Sequence, residues 1–384
     1  MNKLISACAG AGAGKTHRIV SEAIQAIDKG ERILIITYTI NNQKEIYEKY
    51  KSLGGNDYKN FKVKGLFTFL LEDIIRPYQN VIFKERIESL IFNERDPHKI
   101  GNRTIFGRKE ILDNGETNPL HFLTQNGNKA HSTYLSKLAK RIITKTKNAP
   151  IKRLEYIYNK LYFDEVQDLV GWDYEIIDAI SKSKKISLTC VGDFRQTIYQ
   201  TAITTKKPLS TIEKKQFYID KNFEMEDISL CRRSILEICE LSDTVHSNMG
   251  FSPTTSNVKV NDPNIMNHIG AFAVKDSDVN NYITRFNPVL LRSKVTSGKK
   301  YAIESLQKFT YGKAKGLGFD RVLILPTKEY ISFLCGERDV FNDQKTESSK
   351  NKLYVALTRA RYSVAIIYPD VIPKNCPLKI WTPE

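Results

Sequence analysis

Eight residues near the start of this chain, Ala9-Gly10-Ala11-Gly12-Ala13-Gly14-Lys15-Thr16, constrain its fold more than any other segment. They follow the short apolar run Leu4–Ser6 and open an amphipathic pattern, so the predicted order is strand, tight loop, helix. Small side chains leave backbone N–H groups free to wrap an anion, and a helix N-terminus adds a favourable dipole. The run fits a P-loop in which Ala9 stands in place of the first glycine of the general pattern. In such a loop the backbone of Ala9–Gly14 cradles phosphates, Lys15 reaches the β- and γ-phosphates, and the Thr16 hydroxyl ligates Mg²⁺.

A second acidic element completes that reading. Asp164-Glu165-Val166-Gln167-Asp168 directly follows the apolar run Leu161–Phe163. The carboxyl end of a strand in an α/β sheet is where ligands are met. Asp164 is suited to hold Mg²⁺, and Glu165 to orient and deprotonate an attacking water.

Short apolar, β-type runs alternate with helical patterns along the chain, which predicts parallel sheets with crossover helices. The strand candidates are Leu4–Ser6, Ile33–Thr37, Leu161–Phe163, Ile186–Val191, Val289–Leu291, Val322–Leu325 and Val364–Tyr368. They fall into two groups, which divides the chain into 1–205 and 206–384, with the polar segment 204–215 as hinge. Between about 76 and 155 the strand rhythm stops, and this charged stretch reads as a short, mostly helical insertion in the first lobe. The Asn- and Pro-bearing region 250–281 reads as a loop-rich connection.

Composition narrows the setting. Hydrophobic residues make up 41% and charged residues 27%, a globular balance. No apolar run approaches the length of a membrane span, and the N-terminal apolar stretch is too short for a signal peptide. The six cysteines form no CxxC pair and the six histidines are dispersed, so free buried thiols in a reducing, cytoplasmic setting are expected and no metal cluster is. The net charge of +16 favours a polyanionic partner, because Lys and Arg neutralise phosphates.

With AGAGAGKT and DEVQD in place, the chain resembles the UvrD/Rep/PcrA group of superfamily 1A DNA helicases. Further motifs follow in the same order. Ile36-Thr37-Tyr38-Thr39 is similar to the TFTN-type segment, Gly65-Leu66-Phe67-Thr68-Phe69 to GTFHSF, and Val191–Tyr199 to VGDxxQSIY. Arg233-Ser234 matches the end of NYRS, Ala314-Lys315-Gly316-Leu317 matches AKGL, and Leu353–Ala360 resembles the end of LLYVALTRA. The resemblance implies two RecA-like P-loop NTPase domains, ATP and Mg²⁺ as cofactors, and single-stranded or tailed DNA as partner, tracked 3′→5′. It implies Gln196 as γ-phosphate sensor and Arg233 and Arg359 as arginine fingers from the second lobe. It places Tyr38, Thr39, Phe67, Thr68 and Tyr199 on single-stranded DNA, where aromatic rings make sequence-tolerant stacking platforms.

The departures from that group are specific. The P-loop lies so near the start that the upstream adenine-reading glutamine has no counterpart. His17 and Arg232 stand where relatives place an arginine and a tyrosine against the base, and Gly318 and Gly312 replace the glutamate and histidine of the AKGLEF segment. Weakened discrimination among nucleoside triphosphates is expected. About 77 residues separate Arg233 from Thr310, too few for a large 2B insertion, and no accessory domain is expected beyond Trp381. A motor trimmed in this way also resembles the helicase-like subunit of Gabija-type phage-defence systems, to which Glu72–Pro77 is similar, and phage-encoded helicases. The alternative expectation is therefore an ATP-driven regulatory subunit of a nuclease complex. An unrelated P-loop kinase does not need Gln196, Arg233 and Arg359 where they stand.

Overall fold

The computed structural model describes residues 3–6, 12–301, 306–341 and 346–383. The chain separates into two compact units. The first comprises 1–7, 15–192 and 200–226, and the second 8–14, 193–199 and 227–384.

The first unit is built on a six-stranded sheet whose neighbouring strands all run parallel. Its order is Glu224–Met225, Lys3–Ser6, Ser187–Val191, Lys160–Asp164, Ile33–Thr37, Phe61–Gly65. Ile33–Thr37 is buried at all five positions, which suits β-branched residues in a strand covered on both faces. Helix Lys15–Ile27 turns Ile19, Val20, Ala23, Ala26 and Ile27 inward, at helical spacing. These pack with Ile33, Ile35, Ile46, Tyr50, Phe61 and Val63 into one core.

The second unit repeats the architecture. Its parallel six-stranded sheet has the order Lys308–Thr310, Val289–Arg292, Phe319–Ile324, Ala360–Tyr368, Gly270–Lys275, Lys379–Trp381. One core, with Leu291, Val322, Ile324, Leu353, Val364 and Ile366, covers one face. Tyr282, Ile283, Leu290, Leu323, Ile367 and Trp381 belong to another.

Three expectations are revised. Gly270–Lys275, inside the supposed loop-rich stretch 250–281, is an inner strand between Ala360–Tyr368 and Lys379–Trp381. Four of its six residues, Ala271, Phe272, Ala273 and Val274, are apolar, and burial in the sheet outweighs the polar stretches on either side. The segment 204–215 runs into helix Thr211–Asp220 and stays with the first unit, because Glu224–Met225 pairs with Lys3–Ser6. The insertion 76–155 is helical in its later half, at Leu135–Lys145 and Ala149–Ile157. Before those helices it holds short strands, Ser89–Ile91 beside Lys129–His131 and Lys99–Ile100 beside Arg103–Thr104.

Candidate functional site

In the first unit the sequence-predicted residues gather at the carboxyl ends of the sheet. Lys15 and Thr16 open the helix that follows the strand Lys3–Ser6, and His17 is exposed on its first turn. Ala9, Gly10 and Ala11 lie outside the described residues. Asp164 ends its strand beside Thr37, whose hydroxyl Oγ1 donates to Asp164 Oδ2 at 3.4 Å. The other oxygen, Oδ1, is buried and has no hydrogen-bond partner among the described residues. Burial, aided by the Glu165 charge and opposed by Lys15, pushes the Asp164 carboxyl up to about 8. A buried carboxylate with one unused oxygen is a fitting ligand for a hard cation, and Thr16 offers a second oxygen donor. No group of three or more His, Cys, Asp or Glu able to hold a metal occurs among the described residues. A Mg²⁺ site commonly draws one or two protein oxygens and completes itself with phosphates and water.

Glu165 has left-handed backbone, φ 57° and ψ 39°, an unusual conformation for a residue with a Cβ. Its carboxylate accepts from the Gln167 amide, and the Gln167 carbonyl accepts from Lys214 Nζ at 2.6 Å. Lys214 is fully buried, so an ammonium from helix Thr211–Asp220 anchors this acidic turn. Sequence reading missed Lys214, because nothing in Glu213-Lys214-Lys215 tells which lysine faces inward.

Tyr38 and Phe67 follow the strands Ile33–Thr37 and Phe61–Gly65, with ring centroids 5.9 Å apart. Thr39 caps helix Ile40–Ser52, accepting from Asn42 N at 3.1 Å, and Thr68 is exposed on Leu66–Phe69.

The second unit gathers the rest. Gly12 has φ +81°, and a Cβ there would lie 2.5 Å from Arg233 Cβ, so glycine is required on both counts. Arg232 N donates to the Gly12 carbonyl at 2.9 Å, and the Arg232 side chain lies over Gly14. Ala13 is buried between these glycines. The turn carrying both arginines is shaped by Cys231, whose Sγ accepts from the amides of Arg233 at 3.5 Å and Ser234 at 3.3 Å.

Asp193, fully buried, organises the segment 193–199. Its Oδ1 accepts from Arg195 Nε at 3.0 Å, and its Oδ2 from Gln196 Nε2 at 2.9 Å and from the Tyr354 hydroxyl at 3.1 Å. Arg195 also donates to Asp243 at 3.0 Å and lies over the rings of Tyr354 and Phe251. Opposed carboxylates hold its guanidinium charge despite burial, which by itself would lower its pKa. Arg359, also buried, donates to the carbonyls of Val355 and Leu317 at 3.0 Å each and to Gln196 Oε1 at 3.4 Å.

Tyr199, 41% exposed, leans over Gly312, where a Cβ would stand 2.6 Å from the tyrosine oxygen. Lys315 Nζ lies 5.9 Å from the same ring. Gly318 sits against Arg233, whose Cδ and Nε would be 3.3 Å from a Cβ there. The two glycines that replace larger residues of the resembled family therefore make room for Tyr199 and Arg233.

A family model for the AAA domain matches residues 1–202, more than half of the chain. The chain belongs to the AAA domain family. The match covers the segments holding Lys15, Thr16, Asp164, Glu165 and Gln196, and the parallel sheet of the first unit fits a P-loop NTPase fold. Among solved structures, this AAA domain protein is similar to the Arterivirus nonstructural protein 10 helicase in complex with DNA, at 13% identity and a TM-score of 0.43. That likeness covers 95% of this chain and 61% of the viral one, so the AAA domain protein spans less than two thirds of the viral helicase chain. No curated protein matches in sequence. No helix among the described residues of the AAA domain protein is long and apolar enough to cross a membrane.

Proposed function

We propose that this AAA domain protein is a DNA-dependent ATPase of the helicase type, which couples ATP hydrolysis to binding of, or 3′→5′ movement along, single-stranded DNA. The observation that carries the reading is Asp164: a buried carboxylate at a strand end, one oxygen held by Thr37 and the other without a partner among the described residues.

Around that carboxylate each residue takes a role. Gly12, Ala13 and Gly14 lend backbone to the phosphates, with Lys15 countering their charge and Thr16 and Asp164 holding Mg²⁺. The bound cation supplies charge neutralisation at the phosphates. Glu165, fixed by its backbone and by Gln167, takes a proton from the attacking water. Gln196 senses the γ-phosphate, and Arg233 and Arg359 stabilise charge on the transferring group, an effect on the order of 10³–10⁵ in rate. Arg232 and His17 remain for the base. Tyr38, Thr39, Phe67, Thr68 and Tyr199 face the nucleic acid.

Discrimination among bases is weak in this scheme. Gly318 brings no carboxylate, and its place is taken up by Arg233. Hydrolysis of ATP, GTP and CTP at equal concentration should differ by less than about tenfold, roughly the 1.4 kcal/mol that one modest contact supplies.

The deciding experiment measures phosphate release with and without oligodeoxythymidylate, and strand displacement on 3′- and 5′-tailed duplexes. Stimulation by the oligonucleotide and displacement from the 3′ tail are expected. Hydrolysis indifferent to DNA would overturn the reading. Stimulated hydrolysis without displacement would favour a regulatory subunit of a nuclease complex.

A further inference from the structure

We propose that Phe92, carried by the insertion, is a base-stacking residue for single-stranded DNA that extends the face begun by Tyr38 and Phe67. The proposal rests on the nucleic-acid reading above and adds a binding element to it.

The geometry is a row of three rings. Tyr38 and Phe67 meet at 5.9 Å and 68°, and Phe67 and Phe92 at 5.6 Å and 69°. Both contacts are edge-to-face, so each takes at most one face of one of its two rings. The row starts at the carboxyl ends of Ile33–Thr37 and Phe61–Gly65, the edge at which a parallel sheet meets its ligands.

Phe92 is not core. It is 70% exposed, while the row's other rings are half-buried. Its backbone is nonetheless held on both sides. The preceding strand Ser89–Ile91 pairs with Lys129–His131, and the following residue, Asn93, donates from N to Ser132 Oγ at 3.2 Å and meets His131 Nδ1 at 3.2 Å. An exposed aromatic ring held this way is presented rather than left over. Phe106, fully exposed, contrasts with it: no ring contact involving Phe106 occurs among the described residues, and a single exposed apolar residue needs no explanation.

Charge selects the occupant. Residues 76–155 hold sixteen Lys and Arg against eight Asp and Glu. On the stretch that carries Phe92, Lys84, Arg86 and Arg95 stand among Glu85, Glu88, Glu94 and Asp96, so the basic excess belongs to the insertion as a whole. An exposed apolar ring on an insertion with an overall excess of Lys and Arg suits a strand offering bases and phosphates together. An apolar protein surface would leave that excess unanswered.

The test compares wild type, Phe92→Ala and Phe92→Trp for binding to a fluorescent 20-nucleotide oligodeoxythymidylate and to an abasic strand of the same length. Phe92→Ala should weaken binding to the thymidylate by about fivefold or more and leave abasic binding unchanged. Phe92→Trp should restore affinity, and its emission should be quenched by the thymidylate but not by the abasic strand. Equal affinity of wild type and Phe92→Ala for the thymidylate would overturn the proposal, as would an equal loss on both strands. If the wild type binds thymidylate and Phe92→Ala binds it as well, the nucleic-acid reading survives and only Phe92 is wrongly assigned. If the wild type binds neither strand, both fall.

Discussion

The guanidinium of Arg359 donates from Nη2 to the side-chain oxygen of Gln196 at 3.4 Å, across 163 residues of chain. The other end of the same amide donates to Asp193 at 2.9 Å. Gln196 is thus gripped at both ends, one by a donor and one by an acceptor, which fixes its rotamer and its orientation. For the phosphate-sensing role proposed for Gln196, a defined resting position is an advantage. Asp193, Arg195 and Tyr354 supply that definition.

Lys15→Ala should reduce nucleotide hydrolysis at least a hundredfold, and Glu165→Gln about 10²–10⁴-fold, the range for loss of a general base. The two should differ in binding. Glu165→Gln should retain nucleotide, and Lys15→Ala should lose most affinity, as read by fluorescent-nucleotide titration beside phosphate release. Wild-type turnover in either variant would remove its assigned role.

Arg195→Ala should destabilise the protein by roughly 3–5 kcal/mol, the usual cost of leaving a buried charge without its partner. Asp193 is fully buried and would lose the guanidinium on its Oδ1. Urea unfolding is the measurement, and a midpoint within error of wild type would show that water replaces the guanidinium.

Gly312→Ala should move the Tyr199 ring while costing about 1 kcal/mol or less of stability, because the clashing atom is the tip of an exposed side chain. Affinity for single-stranded DNA should fall about fivefold, as for loss of one stacked base. If Tyr199→Ala weakens binding and Gly312→Ala does not, the ring's position over Gly312 is unimportant.

Acid should destabilise the insertion. Burial holds the His121 and His131 imidazoles down to about 4 and lowers His98, with the charges of Arg108 and Lys137 adding to it and Asp96 and Glu110 opposing. His121 Nδ1 faces the Arg108 carbonyl and its Nε2 faces Lys137, an arrangement that fits the neutral ring. Between about pH 6.5 and 4 the unfolded chain then binds more protons than the folded one, so stability rises with pH across that window. The thermal midpoint should fall as the pH drops from 6.5 to 4, these imidazoles together outweighing the opposite contribution of Asp164, whose carboxyl is raised to about 8 in the folded protein. His121→Gln should reduce that slope, and an unchanged slope would exclude His121 as a contributor.

Local pattern by itself determined the parts that depend on neighbours in sequence. The P-loop, the acidic strand end and the apolar runs of both sheets are legible because a tight phosphate loop needs small residues and a buried strand needs consecutive apolar ones. Tertiary structure alone decided what depends on distant chain. It placed Gly270–Lys275 inside a sheet despite its polar surroundings, kept 200–226 with the first unit, and buried Lys214 rather than Lys215. It likewise joined Arg359 to Gln196 and Phe92 to Phe67. Burial and pairing of this kind are set by which surfaces meet in space, and no periodicity within a short window carries that information.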